Sequence, residues 1–207
     1  FSAYLHEEDQ KQVVDGWLSL GDHGYLDELG HLHILDRQED VITNINGEII
    51  YPRLVENELK SSPYIQEAVC FGKDKPYMTA ILNIDMNSVG RWADKNRILY
   101  TEYSDLSRNP KVVELIEQQV EQLMSKLSPQ NRVKKFSILH KQFTADQGEL
   151  TRTLKIRRNF VEQKYKILLD GMYSDTQEVS LTSSQMESVE EEVSLRVIQL
   201  KIEQGVA

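Results

Sequence analysis

Residues 16–57 read GWLSLGDHGYLDELGHLHILDRQEDVITNINGEIIYPRLVEN, and this stretch decides the organisation of the chain. Asp22 follows a glycine and precedes a short hairpin over residues 24–35, whose second arm alternates polar and apolar residues after a glycine-containing turn. Five polar residues, 36–40, come next, and a new apolar run follows them. An apolar hairpin that leads through a charged run into a second apolar segment predicts a junction between two domains.

The composition is that of a globular protein from a reducing compartment. Of the 207 residues, 40% are hydrophobic and 28% are charged, which is ordinary for a chain with a core of its own. The single cysteine, Cys70, lies in an apolar run and predicts a buried thiol, so no disulfide forms within the chain. The net charge of −9 argues against a nucleic-acid-binding module. No apolar run is long enough to span a membrane, and we expect a cytoplasmic protein.

Downstream of residue 36 the patterns predict a mixed α/β domain of the α+β kind, with a short central sheet flanked by helices. The predicted helix over residues 156–172 carries Val161, Tyr165, Leu168 and Met172 on one face. The predicted strands are 40–43, 48–51, 65–71, 78–84 and 136–139, and the predicted helices are 52–62, 87–95, 110–127 and 156–172.

Three segments follow from this division. Residues 1–36 are too few for a domain, and because the chain begins with Phe1 we expect them to end a large N-terminal domain outside it. Residues 37–173 form the α+β domain. Residues 174–207 form an acidic extension, and both a small hairpin and a partly disordered tail are compatible with it.

Asp22 and Arg37 are candidates for binding a nucleotide. A carboxylate held in a turn can accept two hydrogen bonds from the vicinal hydroxyls of a ribose, and an arginine can donate to ribose or phosphate. The alternative is structural, because the same two side chains could form a salt bridge at the base of the hairpin. The pairs Gly21-Asp22 and Asp36-Arg37 alone do not decide between these interpretations.

Lys155 is the candidate for chemistry on a phosphate. It lies in a polar segment between Gly148 and a predicted helix, and a lysine on a loop can neutralise charge that develops on a phosphate. Residues 132–166 contain ten lysines and arginines against three acids. A solvated basic face is the alternative, because clustered charge indicates anions without identifying them.

Other sites find little support in the sequence. His31 and His33 share one face of a predicted strand, but no further ligand lies at a useful spacing, so we predict no metal site. No catalytic triad and no phosphate-binding glycine-rich loop of the usual spacing is present. We therefore expect no self-contained active site.

Taken together, these segments resemble the adenylate-forming superfamily, at the end of the large domain and the hinge. The continuation is similar to the long-chain fatty-acyl-CoA synthetase branch, and the likeness covers about residues 1–173. The family activates a carboxylic acid with ATP to an acyl-adenylate and then transfers the acyl group to coenzyme A, while a small C-terminal domain turns about the hinge. The segments that carry the resemblance are residues 16–42, 46–85, 90–107 and 148–166.

The resemblance implies a role for five residues. Asp22 matches the carboxylate that holds the ribose hydroxyls, and Arg37 matches an arginine that also contacts the nucleotide. Glu39 falls at the hinge, and Gly47 lies in the loop that lines the tunnel for coenzyme A. Lys155 matches the lysine that bridges the carboxylate substrate and the α-phosphate during adenylation. A lysine needed only in the first step can leave when the domain rotates, so that the thiol can approach.

Three positions depart from the family pattern. Glu39 replaces the usual aspartate or lysine of the hinge, the turn at 44–47 has fewer glycines than usual, and Arg152 stands where proline is common. Each change leaves the catalytic groups in place, although the last one leaves the segment of Lys155 less constrained.

The implied substrates are a fatty acid, ATP and coenzyme A, with Mg²⁺ bound mainly by a large domain outside this chain. Two alternatives stay open: a different carboxylic acid as the substrate, and a non-catalytic interaction module with a basic face. A peripheral membrane contact of the full-length enzyme also stays open. Nucleic acid is not an expected partner.

Overall fold

The computed structural model describes residues 13–14, 16–181 and 193–200. The first two strands, β1 (Val13–Val14) and β2 (Trp17–Leu18), form a short antiparallel pair. None of the helices in these ranges has the length and apolar character needed to cross a bilayer.

The predicted hairpin is present and extends beyond both of its predicted ends. It consists of β3 (Asp22–Leu26) and β4 (Leu32–Arg37), which pair antiparallel. The Asp27 carboxylate accepts two backbone N–H groups of the turn, at 2.9 and 2.8 Å, and Gly30 adopts a φ of +82° that favours glycine. These contacts fix the register that places the first residue of β3 opposite the last residue of β4.

A short ladder and a helix follow the charged run. Strands β5 (Ile42–Thr43) and β6 (Ile49–Ile50) pair antiparallel around the predicted turn. Helix α1 (Pro52–Lys60) begins at its proline, where the missing N–H has no helical partner to lose. It buries Val55 and Leu59 completely, one turn apart.

The central sheet has four strands in the order β12-β9-β8-β7. Strands β7 (Ile65–Phe71) and β8 (Met78–Ile84) are antiparallel, whereas β8 and β9 (Val133–Ile138) are parallel. Strand β12 (Ile198–Gln199) pairs antiparallel with β9 and covers its outer edge. The predicted short strand at 136–139 is thus the end of a longer one.

Helices connect β8 to β9 and cover one face of the sheet. They are α2 (Met86–Lys95), α3 (Tyr103–Arg108) and α4 (Pro110–Ser125). Sequence analysis missed α3, which is short and polar and therefore has little apolar periodicity. Its start is fixed by a reciprocal capping box between Glu102 and Asp105.

The buried face of α4 differs from the predicted one, since steps of three and four in the sequence predict a stripe of Val113, Ile116, Val120, Leu123 and Leu127. Val112 is fully buried and Val113 is only partly buried, because the helix is rotated relative to the predicted stripe. Leu127 lies beyond the end of the helix at Ser125 and packs against the same cluster. The buried residues are Val112, Ile116, Val120, Leu123 and Met124.

The predicted helix over residues 156–172 is wrong as a single helix. The structure has α5 (Arg158–Lys164) and α6 (Lys166–Met172), separated by Tyr165. Ile156 is not helical because it forms a β-bridge with Leu150. All four apolar residues of the predicted face are buried, so the break changes the path of the chain without exposing them.

The described part of the acidic extension adds strands to the fold. Strands β10 (Glu178–Leu181) and β11 (Val193–Arg196) pair antiparallel, as in the hairpin alternative. The remainder of the extension lies outside the described residues. Strand β10 packs next to α6, so this part of the chain covers the second face of the sheet.

Alternation along β7 divides the core between the two faces of the sheet. Ala68 and Cys70 face the cluster formed with α1, α2 and α4, whereas Val69 and Phe71 face the cluster formed with α5, α6, β10 and β11. The buried thiol of Cys70 confirms the prediction for this residue. A sheet with both faces covered confirms the predicted mixed α/β class.

Candidate functional site

Asp22 and Arg37 form an ion pair at the base of the hairpin. Their backbones are paired across β3 and β4, and Arg37 Nε lies 3.1 Å from Asp22 Oδ1. Arg37 Nη1 also donates to the carbonyl of Leu20 at 3.2 Å. The structural alternative for these two residues is therefore realised in this structure, and it leaves part of each side chain exposed.

An open cavity lies beside this pair. The backbone N–H of Gln38 donates to the carbonyl of Gly21 at 2.7 Å, which closes the end of the hairpin around a glycine with φ of +71°. A ligand could contact Arg37 and the backbone of Gly21 from this side. The cavity has a volume of about 430 Å³ and is lined by Ser19, Leu20, Gly21, Arg37, Gln38 and Glu39.

Glu39 lies in an exposed turn between two anchored aspartates. Asp36 is fully buried and accepts the backbone N–H groups of Arg37 and Arg53 at 2.8 and 2.7 Å. Burial raises the pKa of Asp36, in opposition to these N–H donors. Asp40 lies 3.7 Å from Arg53 Nη2. The turn of residues 37–39, here named the hinge turn after the role expected for Glu39, is thus held on both sides, and Glu39 forms no ion pair within the described residues.

Gly47 occupies the turn between β5 and β6. Its φ is +80°, a conformation that side chains with a Cβ rarely adopt. The buried Asn44 side chain holds this turn, because its Oδ1 accepts the N–H groups of Asn46 and Glu48 at 2.9 and 3.0 Å. One glycine and one asparagine side chain thus fix the conformation of this turn.

Lys155 lies on the second arm of a tight loop and is exposed. Its backbone carbonyl accepts the Thr151 N–H at 2.8 Å, and its own N–H donates to Thr151 Oγ1 at 3.0 Å. Leu154, at the tip, has a φ of +59°. The ammonium group forms no hydrogen bond or ion pair with any residue in the described ranges, so it is available to an anion.

Two charged side chains anchor the base of this loop. Glu149, on the first arm, is fully buried and lies 2.8 Å from Lys164 Nζ and 3.2 Å from the Tyr165 hydroxyl. Arg158, after the second arm, binds both carboxylate oxygens of Glu56 at 2.7 and 3.0 Å. The two arms are joined by a 2.8 Å hydrogen bond from the Arg157 N–H to the Glu149 carbonyl.

These ion pairs shift the pKa values of both anchors. Burial alone would raise the pKa of Glu149, but the hydrogen bonds from Lys164 and the Thr144 N–H outweigh it and the pKa is lowered. Burial alone would lower the pKa of Arg158, but the carboxylates of Glu56 and Asp40 raise it. Both anchors are therefore charged at neutral pH.

The structure brings some of the predicted site residues together and leaves others apart. Asp22 and Arg37 are in contact, and Glu39 borders the same cavity as Arg37. No hydrogen bond or ion pair joins Lys155 to any of these three within the part of the chain that the structure describes. The candidate site therefore consists of a cavity at the hairpin and a separate exposed lysine.

Sequence analysis did not find the supporting charges. Glu56 begins a polar run of three residues in α1, and Glu149 precedes an apolar residue in a polar segment, so neither shows a signal of burial. Only their partners, which lie far away in the sequence, make burial of these carboxylates possible. Single-sequence patterns contain no information about such pairs.

His31 and His33 both contact the carboxylate of Asp27. Their ring nitrogens Nδ1 and Nε2 lie 3.0 and 3.1 Å from Asp27 Oδ2, and the His33 ring stacks on Tyr25 at a centroid distance of 4.9 Å. Across the described ranges, no group of three or more histidine, cysteine or acidic side chains could hold a metal ion. The pair thus supports the turn of the hairpin.

The sequence, together with the fold described above, defines the class of this protein. The chain belongs to the family described as the AMP-binding enzyme C-terminal domain, which matches residues 39–177.

Its curated relatives include long-chain-fatty-acid–CoA ligases. The chain is 32% identical over 177 residues to FadD15 of Mycobacterium tuberculosis and 31% identical over 195 residues to ACSBG2 of Rattus norvegicus. Each alignment covers 84% of this chain. The chain spans only 30% and 29% of the length of these two relatives.

A solved structure shares the fold. The adenylation domain of a carboxylate reductase from Mycobacterium chelonae superposes with a TM-score of 0.64 at 22% identity. The match covers 83% of this chain and 26% of that domain's chain. At this identity the likeness concerns the fold alone.

Proposed function

We propose that this chain is the C-terminal part of an AMP-forming long-chain fatty-acyl-CoA ligase. The names of FadD15 and ACSBG2 support the reaction and the substrate class. The single observation in favour of a catalytic role is the side chain of Lys155, which is exposed on an anchored loop and forms no ion pair with any residue that the structure describes. A solvated basic face would not require a buried charged anchor on each side of one lysine.

The proposed division of the chain follows the predicted one. Residues 1–36 end the large AMP-binding domain, residues 37–173 form the mobile domain, and residues 174–207 extend it. The exposed apolar side chains of the hairpin support a preceding domain, because their burial requires a partner. The exposed apolar residues of the hairpin are Tyr25, Leu26, Leu29, Leu32 and Ile34.

In the proposed reaction Asp22 and Arg37 hold the ribose and phosphate of ATP, and Lys155 neutralises charge at the α-phosphate while acyl-adenylate forms. The domain then turns at Glu39, and the turn at Gly47 borders the path of coenzyme A. Mg²⁺ is bound mainly by the large domain. We place the enzyme in the cytoplasm, with any membrane contact peripheral.

The activity test uses the enzyme that carries this chain. We expect release of pyrophosphate that depends on a fatty acid, and formation of acyl-CoA together with release of AMP when coenzyme A is added. The 207-residue chain alone should form no acyl-CoA, because it carries no phosphate-binding loop of the usual spacing. Acyl-CoA formation by the chain alone, or ADP as the product, would contradict the proposal. If short or aromatic acids are better substrates than long-chain fatty acids, the alternative of a different carboxylic acid as the substrate is supported.

Asp22→Asn should raise the KM for ATP with little change in kcat. Asparagine keeps the shape but loses the charge of the group that accepts the ribose hydroxyls, and such charged hydrogen bonds contribute about 1.5–3 kcal/mol. We expect an increase in KM of roughly ten- to hundredfold, because this binding is equal in ground and transition states. Glu28→Gln, an exposed position on the same hairpin, is the control. Equal KM values for both variants would refute the role of Asp22.

A further inference from the structure

Arg158 binds three segments of the chain through one guanidinium group. Nη1 and Nη2 contact Glu56 of α1 at 2.7 and 3.0 Å, and Nη1 also donates to the carbonyl of Cys70 in β7 at 2.7 Å. Nε lies 3.3 Å from Asp40 Oδ1, next to the hinge turn. The Arg158 side chain is only 19% exposed, so these contacts are largely shielded from water.

Glu56 strengthens this arrangement from the opposite side. Its Oε1 accepts the backbone N–H of Cys70 at 2.7 Å, while Arg158 donates to the carbonyl of the same residue. The arginine and the glutamate together therefore satisfy both backbone groups of Cys70 at this position of the sheet. Arginine suits the site because its planar fork can bind a carboxylate through two bonds and still donate elsewhere.

The position of Arg158 in the chain links this cluster to the loop of residues 150–156 that carries Lys155, here named the lysine loop. Arg158 is the third residue after Lys155 and the first residue of α5. Between them, Ile156 bridges to Leu150 and the Arg157 N–H donates to the Glu149 carbonyl. The second arm of the loop thus runs from Lys155 directly into the anchored guanidinium, with little free chain between them.

We propose that Arg158 is a positioning residue for Lys155: it fixes the second arm of the lysine loop to the sheet and to the segment next to the hinge turn. The inference rests on the proposed function, in which Lys155 acts at the α-phosphate. Because the same guanidinium contacts Asp40, the loop and the residue that follows Glu39 turn as one body. Lys155 then reaches the α-phosphate in one orientation of the domain. When the domain turns to the other orientation, it carries Lys155 away from the phosphate.

The first test separates the two half-reactions in the enzyme that carries this chain. Arg158→Lys keeps the charge but loses the fork, and it should slow acyl-adenylate formation by about 10- to 100-fold, the effect of a misplaced catalytic group. Transfer from supplied acyl-adenylate to coenzyme A should be unchanged. In a Lys155→Ala background the same substitution should slow adenylation no further, because Arg158 acts through Lys155. Equal loss in both half-reactions, or additive effects, would overturn the proposal.

The second test measures the loop itself in the 207-residue chain. In Arg158→Lys, amide hydrogen exchange at residues 150–157 should be about tenfold faster, whereas that of α4 should not change. If Arg158→Lys does not fold, Glu56→Gln keeps the shape and should show the same local effect. Lys60→Met, which removes an exposed ion pair with Glu67, is the matched control. Unchanged exchange in the loop would overturn the proposal.

The two proposals fail in different ways. If the unaltered enzyme forms no acyl-adenylate, the proposed function fails. If Lys155→Ala stops adenylation and Arg158→Lys leaves it intact, only the positioning role of Arg158 fails.

Discussion

Lys155→Ala should lower the rate of acyl-adenylate formation by about 10²–10³-fold in the enzyme that carries this chain, the loss seen when a single donor to developing charge is removed. The ammonium group has no partner in the described structure that would hold it elsewhere, so its charge is available to the α-phosphate. Thioester formation from supplied acyl-adenylate should change by less than about threefold, because Lys155 leaves the site before that step. Pyrophosphate release and acyl transfer, measured separately, give the two rates.

Lys134→Ala is the control for this prediction. Lys134 is also exposed and belongs to the same basic stretch, but it lies on β9 rather than on the loop. A basic face that acts through charge alone predicts the same small effect for both variants. If the rates of both half-reactions are the same in Lys155→Ala as in Lys134→Ala, the alternative of a non-catalytic interaction module is favoured.

Glu149→Ala should reduce the free energy of unfolding of the 207-residue chain by about 3–5 kcal/mol, since removing one partner of a buried ion pair leaves the other charge uncompensated. The Lys164 side chain is only 12% exposed, and the Tyr165 hydroxyl would lose the same acceptor. Urea denaturation monitored by circular dichroism gives the difference. Glu67→Ala, in the exposed pair with Lys60, should cost less than about 1 kcal/mol.

The effect of Glu149 should also depend on pH. Its pKa is lower in the folded chain than the ordinary value of 4.5, so the ionised form stabilises the fold above that pH. As the pH falls below 4.5 and through the pKa of the folded state, this contribution is lost. The difference in unfolding free energy between the unaltered chain and Glu149→Ala should therefore shrink in acid. A difference that stays constant from neutral pH to acid would contradict the assignment.

Local patterns predicted most of the elements. The hairpin, the start of α1 at Pro52 and the strands at 65–71 and 78–84 follow from turn chemistry, a proline and apolar runs. The short helix α3 depends on side-chain capping and was missed. The break at Tyr165 was missed because the apolar spacing of Val161, Tyr165, Leu168 and Met172 continues across it.

The same distinction between local patterns and distant contacts applies to the residues of the candidate site. Asp22, Arg37 and Lys155 were candidates on their chemistry, whereas Glu39 and Gly47 were identified only through the resemblance to the family. The functional roles of all five stay predictions. Their supporting groups were not identified, because each depends on a contact between distant segments. Arg158 and Glu56 are 102 residues apart in sequence, and no periodicity reports such a pair.

The pairing of β12 with β9 has a consequence for the order in which the protein forms. Ile198 lies opposite Phe136, so the outer strand of the sheet arrives more than sixty residues after its neighbour during synthesis. Until residue 199 has left the ribosome, the edge of β9 has no strand beside it, and its backbone groups can pair with another nascent chain. We therefore expect the demand of this domain for chaperones to last until strand β12 has been made.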